Sequence, residues 1–287
     1  RRIVSGEGAR CLVIVRAGDA SLHPGWTRDP ATRDWDLVVS YFGDDPARFR
    51  DAGARRVDDK GQKWSGLHAL LTREDFWRDY DYIWLPDDDL AVEQDVVSAL
   101  FARMARMQLA LAQPALSWSS YYSHRVTLHH PSFTLRMTNF VEVMAPCFAR
   151  PVLERCLPTF VENLSGWGLD VLWTRMLPAE PRACAIVDAL QMTHTRPVGG
   201  PAYDKLHAAG IAAADEADAL MVKYGIPLDS RALVYAGIDR DGRTLDARDA
   251  AERATLRRLI DADRAAFAAA VAQNVILDGS ARSMSAR

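Results

Sequence analysis

The sequence predicts an α/β fold over its first two-thirds and a mainly helical extension after it. Three observations carry that expectation. Short apolar runs end in Gly or Asp, as the buried strands of an α/β sheet do. Stretches with apolar residues at helical spacing lie between them. After Pro201 the composition shifts to Ala-rich, charged sequence.

The elements follow in order. Cys11 to Val15 reads as the first strand, closed by Arg16, Ala17 and Gly18. Leu37 to Phe42 is the second, closed by Gly43, Asp44 and Asp45. Lys63 to Leu71 reads as a helix with Trp64, Leu67, Leu70 and Leu71 at helical spacing. Tyr82 to Leu85 is a third strand, closed by Pro86 and three aspartates. Val92 to Met107 reads as a helix with Val96, Leu100 and Met104 on one face, and Leu109 to Leu116 as a fourth strand. This alternation predicts parallel strands joined by right-handed crossovers.

Residues 117–138 hold Trp118, Tyr121, Tyr122, His124, His129 and His130 with few periodic cues, and read as a long loop or hairpin over the site. Phe140 to Phe148 is a strand candidate. Pro151 to Leu157 reads as a helix with Pro in its first turn. Leu169 to Leu177 is a helix and Ala183 to Val187 a strand. Residues 202–223 and 246–272 have helical spacing, with a short apolar run, Ala232 to Ile238, between them. Gly279 to Arg287 is small and polar and is expected to fray. The chain thus divides near residue 200, into a sheet domain (1–200) and a helical extension (201–287).

Of the 287 residues, 49% are hydrophobic, enough for one sizeable core. The formal net charge of −3 lacks the basic surplus of a nucleic-acid binder, so no nucleic-acid partner is expected. An anionic substrate then needs a local cation or a metal. Cys11, Cys147, Cys156 and Cys184 form no C-x-x-C pair, which argues against zinc and a disulfide scaffold. Buried free thiols in a reducing cytosol are expected instead. No apolar stretch reaches the roughly 20 residues of a membrane span. Arg1-Arg2-Ile3-Val4 opens no signal-peptide core. The expected location is the cytoplasm, with peripheral membrane attachment left open.

Three motifs carry chemistry. In Tyr82-Ile83-Trp84-Leu85-Pro86-Asp87-Asp88-Asp89 a strand delivers three carboxylates to its C-terminal end, where open α/β sheets bind ligands. Adjacent carboxylates repel unless a cation or donors offset them, and a divalent ion does so with oxygen ligands. In an extended segment Asp87 and Asp89 point the same way and can flank a metal; alternatively Asp88 or Asp89 caps the next helix. In Gly166-Trp167-Gly168-Leu169-Asp170 two glycines permit a tight turn. Trp167 either offers a flat face to a sugar or plugs the core. Asp170 either serves as general base or complements the helix dipole. His194 either joins the aspartates as a ligand suited to Mn²⁺ or is structural. Arg196 either meets phosphate or makes a surface ion pair.

The order strand, D-D-D, G-W-G-x-D and strand-then-His resembles the GT-A glycosyltransferases, a Rossmann-like mixed sheet flanked by helices. The Gly166–Asp170 stretch is similar to the W-G-x-E/D turn of galactosyl- and N-acetylgalactosaminyltransferases. More closely, the chain resembles a plant and bacterial family labelled a domain of unknown function, some plant members of which carry a lysine-ketoglutarate-reductase-related name. That likeness rests on Tyr82 to Val92, Gln113-Pro114-Ala115-Leu116, Phe140 to Pro146, Trp167 to Asp170, and Val187-Asp188 with His194. It covers about residues 10–200.

The resemblance implies a metal-dependent transferase in polysaccharide biosynthesis, with a nucleotide-diphosphate sugar as donor and a glycan or other hydroxyl as acceptor. It implies Mn²⁺ or Mg²⁺ on Asp87, Asp89 and His194, and Asp170 as base of an inverting reaction. It places Arg16, Gly18 and Asp44 at the nucleoside, with Asp88, Trp167, Gly168 and Arg196 elsewhere on the substrates. Lys63 meets phosphate or base, or is a solvated helix-start lysine. Glu142, in an apolar stretch, needs a partner: a sugar hydroxyl or an Arg. Pro86 precedes the triplet where many GT-A enzymes carry an apolar residue, which leaves open which two aspartates face the metal. A phosphoryl- or nucleotidyltransferase and a non-catalytic nucleotide-sugar-binding domain are the competing readings.

Overall fold

A computed structural model describes residues 8–50, 54–177, 184–197, 206, 208 and 210–272. The expectations for residues 198–205 and 273–287 lie outside the described residues.

Among the described residues eleven strands form in chain order: β1 (Cys11–Ala17), β2 (Asp36–Tyr41), β3 (Arg55–Asp58), β4 (Tyr82–Trp84), β5 (Leu90–Ala91), β6 (Leu111–Leu116), β7 (Phe133–Thr138), β8 (Cys147–Ala149), β9 (Cys184–His194), β10 (Val234–Asp239) and β11 (Thr244–Asp246). The helices are α1 (Lys63–Arg73), α2 (Gln94–Met107), α3 (Arg150–Cys156), α4 (Leu169–Arg175), α5 (Ala213–Lys223) and α6 (Ala250–Ala272). The sheet order is β11-β10-β7-β9-β6-β8-β4-β1-β2-β3, and β5 pairs β9 off that path.

The sheet is mixed. β3, β2, β1 and β4 are parallel, as are β6 and β9. β8 is antiparallel to both β4 and β6, so those two blocks run the same way. β7 and β10 are antiparallel to their neighbours. The mixed sheet flanked by helices is the one expected, with the parallel pairing of the βαβ rhythm confined to those two blocks.

Every residue of β1 is buried, because both faces of the sheet are covered. Cys11, Val13 and Val15 pack with Leu100, Phe101 and Met104 of α2. Leu12 and Ile14 pack on the other side with Leu67, Leu70 and Leu71 of α1 and with Leu172 and Trp173 of α4. All four cysteines are buried. In α2 the inward face is Val97, Leu100, Phe101 and Met104, and Val96 is only partly covered.

Two elements differ from expectation in ways that build the site. Phe140 to Phe148 is not one strand: residues 140–146 form a loop before β8. A turn from the Ala145 N–H to the Glu142 carbonyl (3.1 Å) and Pro146, which has no N–H, stop ladder pairing there. β7 emerges from the stretch expected to be loop or hairpin. β10 then pairs β7, and β11 pairs β10, so residues after 200 extend the same sheet. Phe267 of α6 enters the main core beside Trp118 and Tyr122.

Candidate functional site

β1, β4 and β9 point their C-terminal ends at one place. β4 delivers Asp87, Asp88 and Asp89, β1 delivers Gly18, and β9 ends at His194. The acidic segment is held as an extended ribbon. The Leu85 N–H donates to the Pro146 carbonyl (3.0 Å) and the Asp87 N–H to the Met144 carbonyl (2.7 Å). Leu90 then pairs His194 in register, which brings β9's last residue to the aspartates.

Each aspartate faces a different partner. Asp87 Oδ1 accepts from Lys63 Nζ at 2.6 Å, and the same ammonium donates to the Val143 carbonyl at 2.8 Å. Lys63 is therefore not a solvated helix-start lysine; it ties α1, the acidic ribbon and the 140–146 loop together. Asp88 Oδ2 accepts the Gly18 N–H at 2.8 Å, and its Oδ1 lies 3.4 Å from Arg196 Nη1. Asp89 Oδ2 lies 3.3 Å from His194 Nε2. No aspartate caps α2, whose N-cap residue is Glu93 and which has no side-chain cap.

The charges follow from burial and these partners. Burial lowers the Lys63 pKa, against the pull of Asp87. Burial raises Asp87 and Asp88, with Lys63 opposing for the first and the Gly18 N–H and Arg196 for the second. For Asp89, burial pulls upward, but the His194 hydrogen bond and charge outweigh it and hold the carboxyl below its usual range. Burial pulls His194 down, but Asp89 lifts it to about 9. Since a carbonyl only accepts, the 2.9 Å contact from His194 Nδ1 to the Tyr121 carbonyl puts a proton on Nδ1 and turns Nε2 toward Asp89.

Two further carboxyls reach this group. Asp170 is 6% exposed in the first turn of α4, where it accepts the Val171 N–H at 2.9 Å. Burial raises its pKa to about 7, against the backbone donors. Glu142 is 3% exposed and its Oε2 has no hydrogen-bond partner among the described residues. Burial raises it to about 8; the charge of His194 and a Thr127 hydrogen bond oppose the rise, while Asp170 and Asp87 add to it. These mutual effects put Glu142 in one electrostatic neighbourhood with Asp170, Asp87 and His194.

The glycine-tryptophan turn has the backbone its sequence requires: Gly166 at φ +80° and Gly168 at φ +85°. A Cβ on Gly166 would lie 2.5 Å from Trp64 Cδ1, so the turn is pressed onto α1. Trp167 is half-buried, with its carbonyl held by Asn163 Nδ2 at 2.7 Å.

Two expected nucleoside contacts already have partners within the protein. Arg16 is 3% exposed, and its guanidinium donates to Ser40 Oγ and to the Asp59 and Gly61 carbonyls. It braces the loop after β3. Asp44 is exposed and paired with Lys60 at 2.7 Å. Asp19, absent from the sequence reading, organises that turn by accepting the Asp44 N–H (3.1 Å) and the Tyr41 hydroxyl.

The donors at Asp89 and His194 fit a hard divalent ion. Asp89 Oδ1 is buried without a hydrogen-bond partner among the described residues, and His194 is locked in the tautomer a ligand needs. Among the described residues no three His, Cys, Asp or Glu side chains are already grouped to hold a metal. The expected trio is divided because Asp87 is turned onto Lys63.

No protein-family model matches the chain, and no curated protein does. Among solved structures, the chain is similar to glucosyl-3-phosphoglycerate synthase from Mycobacterium tuberculosis, crystallised with Mn²⁺, UDP and phosphoglyceric acid. The TM-score is 0.46 and the identity 16%, over 77% of this chain and 81% of that one. It is also similar to GalNAc-T7 with UDP, GalNAc and Mn²⁺, at TM-score 0.49 and 8% identity, over 75% of this chain and 51% of that one. For S. aureus TarS the TM-score is 0.40 and the identity 10%, over 72% of this chain and 39% of that one.

Proposed function

We propose that this chain is a metal-dependent glycosyltransferase that moves a sugar from a nucleotide-diphosphate donor to an acceptor hydroxyl with inversion. The observation that carries the reading is the convergence of Asp87 to Asp89, Lys63, His194, Arg196, Asp170 and Glu142, from separate segments, at the C-terminal ends of β1, β4 and β9. Cationic and carboxylate groups meet there in a part-buried site, the setting in which charge on a departing diphosphate is best stabilised. The likeness of the Gly166–Asp170 turn to the galactosyltransferase turn supports the same reading.

Asp89 and His194 are the residues that hold Mn²⁺ or Mg²⁺, which when bound offsets negative charge on the diphosphate. Arg196 and Lys63 add fixed positive charge beside it. Asp170 takes the proton of the acceptor hydroxyl as that oxygen bonds to the anomeric carbon. The bond from that carbon to the donor phosphate breaks, and its electron pair leaves with the nucleotide diphosphate. A carboxyl with a pKa of about 7 is suited to this role, since it is largely ionised just above neutrality yet still basic. Glu142, neutral below about pH 8, can donate a hydrogen bond to a sugar oxygen.

A phosphoryl transferase with paired metals is the weaker reading, because Lys63 already offsets the charge of Asp87. The test is turnover of a panel of UDP-, GDP-, ADP- and dTDP-sugars with Mn²⁺, alongside calorimetry with the corresponding diphosphates. At least one donor is expected to be consumed, with loss of both binding and turnover in Asp89→Asn. A wild-type protein that binds none of the diphosphates in Mn²⁺ would end the proposal.

A further inference from the structure

The 117–130 segment has two faces. One serves the site above: the Tyr121 carbonyl and Ser120 Oγ hold His194 at 2.9 and 3.2 Å, and Thr127 reaches Glu142. The other borders α6. Between that face and α6 lies a cleft of about 200 Å³, whose lining includes Trp118, Arg125, His129, His130, Arg264 and Phe267.

Its lining combines three kinds of surface. Trp118 and Phe267 supply aromatic walls, with ring centroids 5.8 Å apart. His129 supplies a buried Nδ1 that makes no hydrogen bond among the described residues, while His130, 5% exposed, turns its Nδ1 to Asp263 Oδ2 at 3.4 Å. Burial lowers both imidazole pKa values, so the rings stay neutral near pH 7. Arg125 is exposed, and its guanidinium has no partner among the described residues. Arg264 stands with it at the rim, 62% exposed.

A buried imidazole nitrogen without a partner, here His129 Nδ1, is costly unless a ligand or water satisfies it. A pyranose matches what is offered. Its C–H face suits aromatic walls, its hydroxyls suit imidazole nitrogens and the Asp263 carboxylate, and an acidic substituent suits a guanidinium. We propose that this cleft binds an anionic monosaccharide unit, a uronate or a sugar phosphate, as a part of the acceptor distant from the hydroxyl that reacts. The acceptor role rests on the glycosyltransferase reading; the binding does not. The shared 117–130 segment joins the cleft to His194 and Glu142, so an occupant would sit one layer from the site.

The experiment is calorimetry on the full chain, without metal or nucleotide, using glucuronic acid, glucose 6-phosphate and glucose. At least one anionic sugar is expected to bind at least tenfold more tightly than glucose. Which one binds separates uronate from phosphate. Arg125→Ala should weaken that binding about tenfold while leaving the affinity for UDP or GDP with Mn²⁺ within twofold. Arg264→Ala, at an equally exposed position, repeats the test without touching the core. Anionic sugars binding no more tightly than glucose, or at unchanged affinity in both variants, would overturn the assignment. Nucleotide binding without sugar binding removes the cleft and spares the transferase reading; sugar binding without nucleotide binding does the reverse.

Discussion

At the scale of single residues, the informative groups are two buried carboxyls that burial pushes up, Asp170 to about 7 and Glu142 to about 8. Among the described residues no cation offsets the burial of Asp170, so burial governs it. As a base it works only when deprotonated. Turnover should therefore rise with pH through about 7 and level off above 8. Asp170→Asn should remove that limb and lower kcat by about 10²–10⁴, with an unchanged circular dichroism spectrum. Wild-type kcat that stays flat from pH 5.5 to 8.5 would reassign the base. Glu142 has the opposite use, since it is neutral at pH 7. Its folded pKa of about 8 stands above the ordinary 4.5, so the folded state binds more protons in between. Stability from this group is complete below 4.5 and is lost as pH rises through 8. Glu142→Gln should remove that loss and raise stability at pH 9, relative to wild type, by a few kcal/mol. Urea midpoints at pH 5 and pH 9 measure it, and an equal shift at both pH values would contradict it.

At the scale of elements, short backbone pieces position long-range chemistry. The turn before α4 works because two glycines take positive φ and one of them meets an aromatic ring. Trp64 cannot retreat from a new Cβ at 166, because it is packed edge-on against Phe160 and Trp173 at 4.6 and 4.8 Å. Gly166→Ala should therefore cost about 2–4 kcal/mol, from left-handed backbone plus overpacking. Gly225, at φ +65° with nothing near its missing Cβ, isolates the backbone part. Gly225→Ala should cost only about 1–2 kcal/mol. Thermal denaturation of both variants gives the comparison, and equal losses would mean that the Trp64 contact is not tight. β9 shows the same economy of means. Pro114 pairs Val187 while Ala115 pairs Gln191, so residues 188–190 bulge out of register. The bulge sits where Pro114 lacks an N–H to donate, and it frees Asp188 to serve another partner.

At the scale of the whole molecule, that partner is Arg136. Both side chains are fully buried, and Asp188 takes Arg136 Nε and Nη2 at 2.8 and 2.9 Å. Asp188 also accepts the His130 N–H at 2.8 Å, while Arg136 donates to the Val126 and Leu128 carbonyls at 2.8 Å each. One ion pair thus fastens the 117–130 segment, which borders both the candidate site and the cleft under α6, to the centre of the sheet. Removing one partner leaves a buried charge alone, so Asp188→Ala should cost about 3–5 kcal/mol. The apolar pair Arg136→Met with Asp188→Leu should recover part of that. Urea unfolding of the single and double variants tests this; a loss under 1 kcal/mol in Asp188→Ala would show that the pair does not anchor the segment. The C-terminal residues belong to the same body, since β10 and β11 extend the sheet and Phe267 enters its core. Among the described residues, no helix is long and apolar enough to cross a membrane.

By itself the sequence determined the periodic parts of this protein. β1, β2, β4, β6, α1, α2 and α4 are legible because burial imposes a period of 2, a continuous apolar run, or a period near 3.6. The position of Asp87 to Asp89 after a strand, and of Asp170 after a glycine pair, is legible for the same local reason. Only the tertiary structure decided the rest. β5 and β7 owe their strand state to partners distant in the chain, and the short strands β3 and β11 form only as additions to β2 and β10. The pairs Lys63–Asp87, Gly18–Asp88, Arg196–Asp88 and Arg136–Asp188 span 24, 70, 108 and 52 positions. No local pattern encodes such separations. The charge state of each carboxyl depends on which neighbour the sheet order brings to it, and that order is set by packing the whole chain.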